Sequence, residues 1–482
     1  MAEYASQHWV EHAQFGMVSS RIEDGMRRLF NSAKPYFAAW LELDDIDDLW
    51  TNFGDSGVVH RGSPLYYASL CGFRDLAAHI IVEHPEQVNA RGGRNHSPLV
   101  AALHKRHFNV AELLHHHGAA VDVAGHRNRT PLQAASLDGL IDVARWLLDH
   151  GADANSQQDR SPIHLAAANR HPEVVRVSLG RSIRINPVND VGRTPLHQAS
   201  NYGYVEIVRL LLQHGADISA QDKDCSTPLH LALSGGWLEV TRLLLDHGAN
   251  ANTQNGDGIT SLHLASSKGR IEIVRLMLDR GTNPNAKNKE GSTPLHLASY
   301  WGETETVSLL LDRGANADAK NKVGRTPLHL AWKTEIVRLL LDRGSNANDK
   351  DKVGWTPLHL ASSLGETEIV HLLLDCGTNV DTETPNKKGS TPLHLAWRTD
   401  IVRLLLDHGA NADAEDKCGR TPLHLASSKG RTEIVRLLLD CRASADVKNK
   451  KGRTPLQVAL RRGKYEIVHM LTEHSAQVDR EL

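Results

Sequence analysis

The stretch Thr293–Arg325 reads TPLHLASYWGETETVSLLLDRGANADAKNKVGR, and near copies of it follow one another along most of the chain. Its opening phrase Thr-Pro-Leu-His-Leu-Ala, or a close variant, occurs thirteen times at intervals of 30 to 35 residues. Such a period is typical of repeat arrays, in which each unit buries its apolar face only against its neighbours. The phrases begin at Ser63, Ser97, Thr130, Ser161, Thr194, Thr227, Thr260, Thr293, Thr326, Thr356, Thr391, Thr421 and Thr454.

The first half of each unit predicts a helix of about two turns. Thr293 is a preferred N-cap residue, and Pro294 suits the first helical position, where a missing N–H is no loss. Gly302 predicts the end of this helix, because glycine readily takes the left-handed conformation of a helix stop. Between these points an apolar stripe is formed by Leu295, Leu297 and Ala298.

The second half of each unit predicts another short helix, which Gly314 ends. Its inward side consists of Val307, Leu309, Leu310 and Leu311. A polar segment then leads through Gly324 to the next unit and predicts a turn or short hairpin at the tip. Since neither helix is long enough to be stable alone, stacking of neighbouring units must supply the core.

These units resemble ankyrin repeats, on the evidence of the repeated TPLHLA and the later LLLDHGAN, from about Gly57 to Asp479. The resemblance implies a mainly α solenoid of about thirteen helix–turn–helix units with β-turn or hairpin tips. It also implies a concave surface, built from the tips and the first helices, that binds proteins. We therefore expect a repeat domain at 57–482 and a separate N-terminal segment at 1–56.

Residues 1–56 do not follow the repeat, and their apolar residues recur at helical spacing. The segment is expected to be helical and to act either as a cap for the array or as an independent binding module. Two of its stretches resemble the linker between the nucleotide-binding part and the repeats of fungal NACHT–ankyrin proteins: EYASQHWVEHAQF (3–15) and KPYFAAWL (34–41). The sequence contains no GxxxxGK[ST] phosphate loop, so the NTPase of those proteins and its switch are not expected here.

Composition argues against several classes of protein. The formal net charge of −2 gives no overall field for nucleic acid or an acidic membrane. The five cysteines form no CxxC pair, which argues against a disulfide framework and a zinc site. A signal peptide is not expected, and the sequence has no apolar run long enough to span a bilayer. We expect a protein of the cytoplasm or nucleus, with no cofactor, metal or small-molecule substrate.

The histidine of the phrase recurs in nine units, once per unit and near a helix start. This regularity favours hydrogen bonds between adjacent loops over acid–base or metal chemistry. The one histidine cluster, His115–His117, stands at the C-terminal end of a second helix, where consecutive side chains diverge and cannot converge on a metal. No GxSxG, HExxH or Walker phrase is present, so an enzyme is not expected. The nine are His164, His197, His230, His263, His296, His329, His359, His394 and His424.

Three units depart from the common length. In the units that begin at Thr326 and Thr391, three residues are missing, including the glycine that ends the first helix, and Trp332 and Trp397 replace serine. We predict that the turn between the helices is tightened, or that the first helix loses its last residues, at both places. The unit that begins at Thr356 instead gains residues near Thr382–Pro385.

Aromatic residues at helix ends and tips are the candidates for partner binding, because Trp and Tyr are concentrated at protein interfaces. For Trp332 and Trp397, filling the volume left by the deletions is an equally good explanation. The tips Lys387–Lys388, Lys417 and Lys450–Lys451 indicate either an edge for an acidic partner or a solubilising surface. The candidate residues are Tyr202, Trp237, Tyr300, Trp301, Trp332, Trp355 and Trp397.

The sequence thus predicts a non-catalytic scaffold that binds a protein partner on its concave surface, around the seventh to eleventh units. One alternative is the sensor portion, or a truncated decoy, of a NACHT–ankyrin receptor. A further alternative, from another class, is an enzyme confined to residues 1–56.

Overall fold

A computed structural model describes Arg28 and residues 62–93, 96–125, 128–155, 161–181, 183–380 and 388–481. Apart from Arg28, the N-terminal segment expected at 1–56 lies outside these residues, as do Thr382–Pro385 and Lys387. The chain divides into two compact units, Met1–Lys223 and Asp224–Leu482, each of which is described by itself.

The described residues form 26 α-helices, two for each repeat. Odd numbers denote first helices and even numbers second helices. The first compact unit contains α1 Pro64–Leu70, α2 Arg74–Glu83, a 3-10 helix at Pro85–Asn89, α3 Pro98–His104, α4 Phe108–His116, α5 Pro131–Asp138, α6 Ile141–Asp149, α7 Pro162–Ala168, α8 Pro172–Leu179, α9 Pro195–Tyr202 and α10 Val205–Gln213.

The second compact unit contains the repeats from Thr227 onward. Its helices are α11 Pro228–Gly235, α12 Leu238–Asp246, α13 Ser261–Ser267, α14 Ile271–Asp279, α15 Pro294–Trp301, α16 Thr304–Asp312, α17 Pro327–Leu330, α18 Thr334–Asp342, α19 Pro357–Leu364, α20 Thr367–Asp375, α21 Pro392–Leu395, α22 Thr399–Asp407, α23 Pro422–Lys429, α24 Thr432–Asp440, α25 Pro455–Arg461 and α26 Tyr465–Glu481. Among the described residues, no helix combines the length and apolar character needed to cross a bilayer.

The first helices begin and end as predicted. Thr293 is the N-cap of α15 with Pro294 at the first position, and Gly302 follows the helix in the left-handed region at φ 77°. Within each compact unit, first helices pack on first helices of the next repeat and second helices on second helices. The core therefore grows along the array, as expected of a solenoid.

The apolar stripe of α15 is narrower than predicted. Leu295 and Ala298 are fully buried, whereas Leu297 is only half-buried. In α16, Val307 and Leu310 are fully buried. On a helix this short, the face that meets both neighbouring repeats passes through Leu295 and Ala298, three residues apart, and Leu297 lies at its margin.

The tips are turns joined from one repeat to the next by backbone hydrogen bonds. The Lys322 N–H donates to the carbonyl of Glu290 at 2.8 Å, and the Lys352 N–H donates to that of Val323 at 2.9 Å. Gly324 has φ +81°, and a Cβ there would lie 2.8 Å from the nitrogen of Lys352. Glycine is required at this tip because of both its conformation and the close approach of the next tip.

The prediction for the two short repeats is confirmed. Helices α17 and α21 contain only four residues each, against seven or eight in the other first helices. The chain leaves each of them in extended conformation at Ala331 and Ala396. The second helices that follow, α18 and α22, keep the nine residues of their neighbours. The deletion thus removes the last turn of the first helix and leaves the rest of the repeat intact.

Candidate functional site

Six of the seven candidate aromatic residues are exposed. Their exposed fractions range from 41% for Trp237 to 57% for Trp301, and those of Trp332 and Trp397 are 50% and 47%. Trp332 and Trp397 are therefore surface residues rather than simple fillers of the deleted volume. Trp355 differs from the others because it is only half-buried at a tip rather than exposed.

Five exposed apolar residues lie at the ends of four consecutive first helices, and we call them the apolar ridge. Tyr300 and Trp301 are the last two residues of α15, and Leu364, which is 63% exposed, is the last residue of α19. Trp332 and Trp397 follow the short helices α17 and α21. Sequence reasoning missed Leu364 because it considered aromatic residues only. Its place at a helix end, shared with Trp301, is the signal that could have identified it.

Hydrogen bonds to the preceding repeat fix the two tryptophans of the short repeats. The indole N–H of Trp332 donates to the carbonyl of Tyr300 at 2.8 Å, and that of Trp397 donates to the carbonyl of Ser363 at 3.1 Å. Tyr300 and Ser363 are penultimate residues of their helices, whose last carbonyls have no partner within the helix. Each indole therefore caps the helix before it.

A full-length repeat satisfies the same carbonyl with a different side chain. In the first compact unit, Nε2 of His171 donates to the carbonyl of Leu137, the penultimate residue of α5, at 2.9 Å. His171 stands immediately before its second helix, whereas Trp332 stands one residue earlier, in the place left by the deletion. In the two short repeats, Trp332 and Trp397 thus take the capping role that His171 has in a full-length repeat.

The ring of Trp332 is further held by two neighbours. A Cβ on Gly302 would lie 2.8 Å from the indole, so the ring packs directly on this helix stop. Lys333 donates from Nζ to the carbonyl of Gly302 at 2.7 Å, with the same Nζ 5.5 Å from the centre of the Trp332 ring. The lysine position suits a cation–π contact, which adds to the hydrogen bond in orienting the indole.

Comparison with known protein families detects the repeat along the whole array. The sequence matches the family described as ankyrin repeats (3 copies) over residues 65–158, 153–222, 219–288, 280–351, 332–416 and 398–481. The chain belongs to the ankyrin-repeat family. Ankyrin repeats build protein-interaction scaffolds, and the fold is typically non-catalytic.

Two more specific similarities were found. Azaphilone pigments biosynthesis cluster protein L of Monascus ruber is 31% identical over 129 residues, which are 24% of this chain and 26% of that protein. The chain thus spans about a quarter of the length of this curated relative. The crystal structure of the ankyrin repeat domain of Bcl-3, described as a unique member of the IkappaB protein family, is 34% identical. The match covers 45% of this chain and 100% of the Bcl-3 chain, with a TM-score of 0.41.

The ridge is continuous from one ankyrin repeat to the next. Trp332 and Leu364 both line a cavity of about 50 Å³ that opens where α17 lacks its last turn. The Tyr300 and Trp301 rings meet edge to face, with centroids 5.3 Å apart. The cavity is far smaller than the ~300–1,000 Å³ of small-molecule sites. The ridge is therefore suited to an extended contact with another protein surface rather than to enclosing a ligand.

The remaining candidates lie apart from the ridge. Tyr202 belongs to the first compact unit, where it stacks on Tyr204 with centroids 5.7 Å apart. Trp237 precedes α12, and the repeat that begins at Thr260 separates it from Tyr300. The Trp355 ring lies parallel to the His359 imidazole at 6.5 Å, and its buried indole N–H finds no acceptor among the described residues. Trp355 is thus mainly a packing residue of its tip.

The prediction that the recurrent histidines join adjacent loops is confirmed for eight of them. The backbone N–H of Thr293 donates to Nδ1 of His296 at 3.1 Å, and Nε2 of His296 donates to the carbonyl of Arg325 in the next repeat at 3.0 Å. The other seven bonds to the next repeat are made by His164, His230, His263, His329, His359, His394 and His424.

Burial favours the neutral form of seven of these eight histidines by lowering their pKa. Burial lowers the pKa of His296 and of His359 to about 4, against the opposing effect of the carbonyl each one bonds. Burial also lowers the pKa of His164, His263, His329, His394 and His424. Both ring nitrogens are occupied, so these side chains serve as structural links.

The cluster at His115–His117 makes several unrelated contacts. The His115 ring meets the Trp146 and His150 rings edge to face, while His117 bonds the carbonyl of Leu113 through Nδ1. Among the residues the structure describes, no three His, Cys, Asp or Glu side chains are placed to hold a metal ion.

Proposed function

We propose that this chain is a non-catalytic scaffold that binds a partner protein through the apolar ridge, on the concave surface that the ankyrin fold implies. The observation that carries the proposal is that five exposed apolar side chains lie at equivalent places on four consecutive repeats. Exposed apolar side chains that lie on consecutive repeats are characteristic of interaction sites.

The capping bonds of Trp332 and Trp397 support this role. A side chain that is already held in one orientation loses less conformational entropy on binding than a mobile one. Tryptophan and tyrosine are also the residues most often found at energetic hot spots. The indole N–H groups are occupied by Tyr300 and Ser363, so each ring presents an apolar face to solvent.

The length of the ridge favours a protein segment as the ligand. Neighbouring helices pack about 8–10 Å apart, so the three intervals between α15 and α21 span roughly 24–30 Å. A strip of this length matches an amphipathic helix or an extended segment, which would place successive apolar side chains between the ridge residues.

Affinity capture from a native extract tests the proposal. The bait is the full chain, compared with a variant that combines Trp301→Ala and Leu364→Ala, two residues whose side chains donate no hydrogen bond to any residue that the structure describes. The matched control is Tyr465→Ala, an aromatic side chain that is 76% exposed at the start of α26. We expect a set of proteins retained by the wild type and the control but lost from the ridge variant, with thermal stability nearly unchanged. Equal capture by all three would contradict the proposal.

A second candidate rests on residues 3–15 and 34–41, which resemble the linker of fungal NACHT–ankyrin proteins. In this case the repeats would be the sensor portion of an NLR-like receptor, or a decoy that competes with it. The genomic sequence upstream decides between the candidates, because an in-frame nucleotide-binding region there would favour the receptor.

A further inference from the structure

A groove of about 420 Å³ lies between the tips and the first helices of the last two repeats, which begin at Thr421 and Thr454. Seven of its thirteen lining residues are Lys or Arg, and none is Asp or Glu. The whole chain has a net charge of −2, so this positive charge is local. The tips and the end of α25 contribute Lys417, Lys450, Lys451, Arg461 and Arg462, all of them exposed.

Most of this charge is not neutralised by the protein. Arg420 is paired with Asp416 through two hydrogen bonds, from Nε at 2.8 Å and from Nη2 at 2.6 Å. The other six basic side chains form no ion pair with any residue that the structure describes. Beside the groove, the pKa of Lys429 is lowered by burial and then by the charges of Arg431 and Arg420. The groove thus has a positive potential that a bound anion would relieve.

The ridge and the groove occupy equivalent places in successive repeats. Trp397 lies at the end of the first helix in the repeat of Thr391, and Arg461 lies at the end of the first helix two repeats further on. At about 8–10 Å per repeat, the two are roughly 16–20 Å apart. An extended chain covers this distance with about five or six residues.

Building on the proposed function, we propose that the groove binds an acidic segment, rich in Asp and Glu, of the same partner protein that occupies the apolar ridge. The segment follows the apolar part of the ligand at a separation of about five or six residues. Charge complementarity at the groove sets the register of the ligand and speeds its association, while the ridge supplies the apolar contact.

The groove is better suited to an acidic peptide than to nucleic acid. Its lining contains no Trp, Tyr or Phe on which bases could stack. Its lining is also confined to the tips and first helices of the last two repeats. A nucleic acid strand would need positive charge along a longer track.

Fluorescence anisotropy with the full chain tests this assignment. The probes are a labelled oligo-glutamate peptide, an oligo-lysine peptide of the same length and an oligo-thymidylate strand. The groove variant combines Lys450→Glu and Arg461→Glu. The matched control combines Arg403→Glu and Arg436→Glu, which change the net charge equally on the exposed faces of α22 and α24.

We expect oligo-glutamate to bind the wild type in a salt-dependent manner and oligo-lysine not to bind. The groove variant should weaken oligo-glutamate binding about tenfold or more, and the control variant should weaken it less than twofold. Equal weakening by the two variants, or no oligo-glutamate binding by the wild type, would overturn the proposal. Tighter binding of oligo-thymidylate than of oligo-glutamate would assign the groove to nucleic acid instead.

The ridge variant Trp301→Ala with Leu364→Ala separates this inference from the proposed function. It should leave oligo-glutamate affinity unchanged, because neither residue lines the groove. If the ridge variant captures partners normally while the groove variant loses oligo-glutamate, the proposed function fails and the groove remains an acidic-peptide site. The reverse pattern rejects the groove and keeps the ridge.

Discussion

Trp332 donates its indole N–H to the carbonyl of Tyr300, 32 residues earlier in the chain, at 2.8 Å. The bond joins the segment that follows the short helix α17 to the end of the full-length helix α15. Trp397, which follows the short helix α21, makes the equivalent bond to Ser363 in α19. A deletion that removes a helical turn is thereby accompanied by a new cap for the neighbouring helix. The same two tryptophans present half of their surface to solvent as part of the apolar ridge.

The replacement Trp332→Phe tests the cap. Phenylalanine keeps an aromatic ring but leaves the carbonyl of Tyr300 without its donor, so we expect the free energy of unfolding to fall by about 0.5–1.5 kcal/mol. Trp301→Phe is the control, because no hydrogen bond of the Trp301 indole is seen among the described residues. Urea denaturation followed by far-UV circular dichroism measures both, and equal losses would show that the bond contributes nothing.

The close packing of Trp332 on Gly302 predicts a difference between two glycine replacements. Gly302 and Gly314 have φ of +77° and +83°, so alanine at either position is strained by about 1–2 kcal/mol. A Cβ on Gly302 would also lie 2.8 Å from the Trp332 ring, whereas a Cβ on Gly314 meets nothing within 4 Å. We therefore expect Gly302→Ala to destabilise the fold more than Gly314→Ala.

Tryptophan fluorescence provides a second measurement of the same pair. Gly302→Ala should shift the emission of Trp332 because the ring is displaced, and Gly314→Ala should leave it unchanged. Similar stability and similar emission in the two variants would mean that the ring does not rest on Gly302.

The repeat itself could be predicted from the sequence because its determinants are local. Thr293, Pro294 and Gly302 act within one short helix, and the shortening of α17 and α21 followed from the missing residues alone. The family match covers the array that this pattern predicted.

The candidate site was predicted only in part, because its contacts join residues about 30 positions apart. Trp332 could be named as unusual, but its bond to Tyr300 depends on how successive repeats stack. Leu364 was missed because only aromatic residues were considered, although it stands at a helix end as Trp301 does. The lysines at the tips were noticed, whereas their grouping with Arg461 and Arg462 depends on the fold.

Leu295 and Leu297, which the sequence analysis assigned to one apolar stripe, differ in burial. Leu295 is fully buried, so Leu295→Ala should leave a cavity and lower the free energy of unfolding by about 2–5 kcal/mol. Leu297 is half-buried, so Leu297→Ala should lower it by clearly less. Chemical denaturation of both variants decides the point. If Leu297→Ala lowered the free energy of unfolding more than Leu295→Ala does, Leu297 would belong to the buried stripe that the sequence predicted.

The buried histidines predict a loss of stability in mild acid. In the unfolded chain histidine has a pKa of about 6.5, whereas burial lowers the pKa of His296 and His359 to about 4 in the folded state. Between these values the unfolded chain binds more protons, so the free energy of unfolding decreases as the pH falls from 6.5 towards 4. The two residues together contribute a slope of at most about 3 kcal/mol per pH unit, reached near the middle of this window.

Glutamine is the replacement that isolates this effect, because the chain already uses it at the same position. The Thr130 N–H donates to Oε1 of Gln133 at 2.8 Å, so glutamine keeps the link to the helix start without titrating. We expect His296→Gln with His359→Gln to lower the pH midpoint of acid unfolding relative to the wild type, because glutamine does not titrate. If the double variant unfolds at the wild-type pH, acid sensitivity arises from groups other than these histidines.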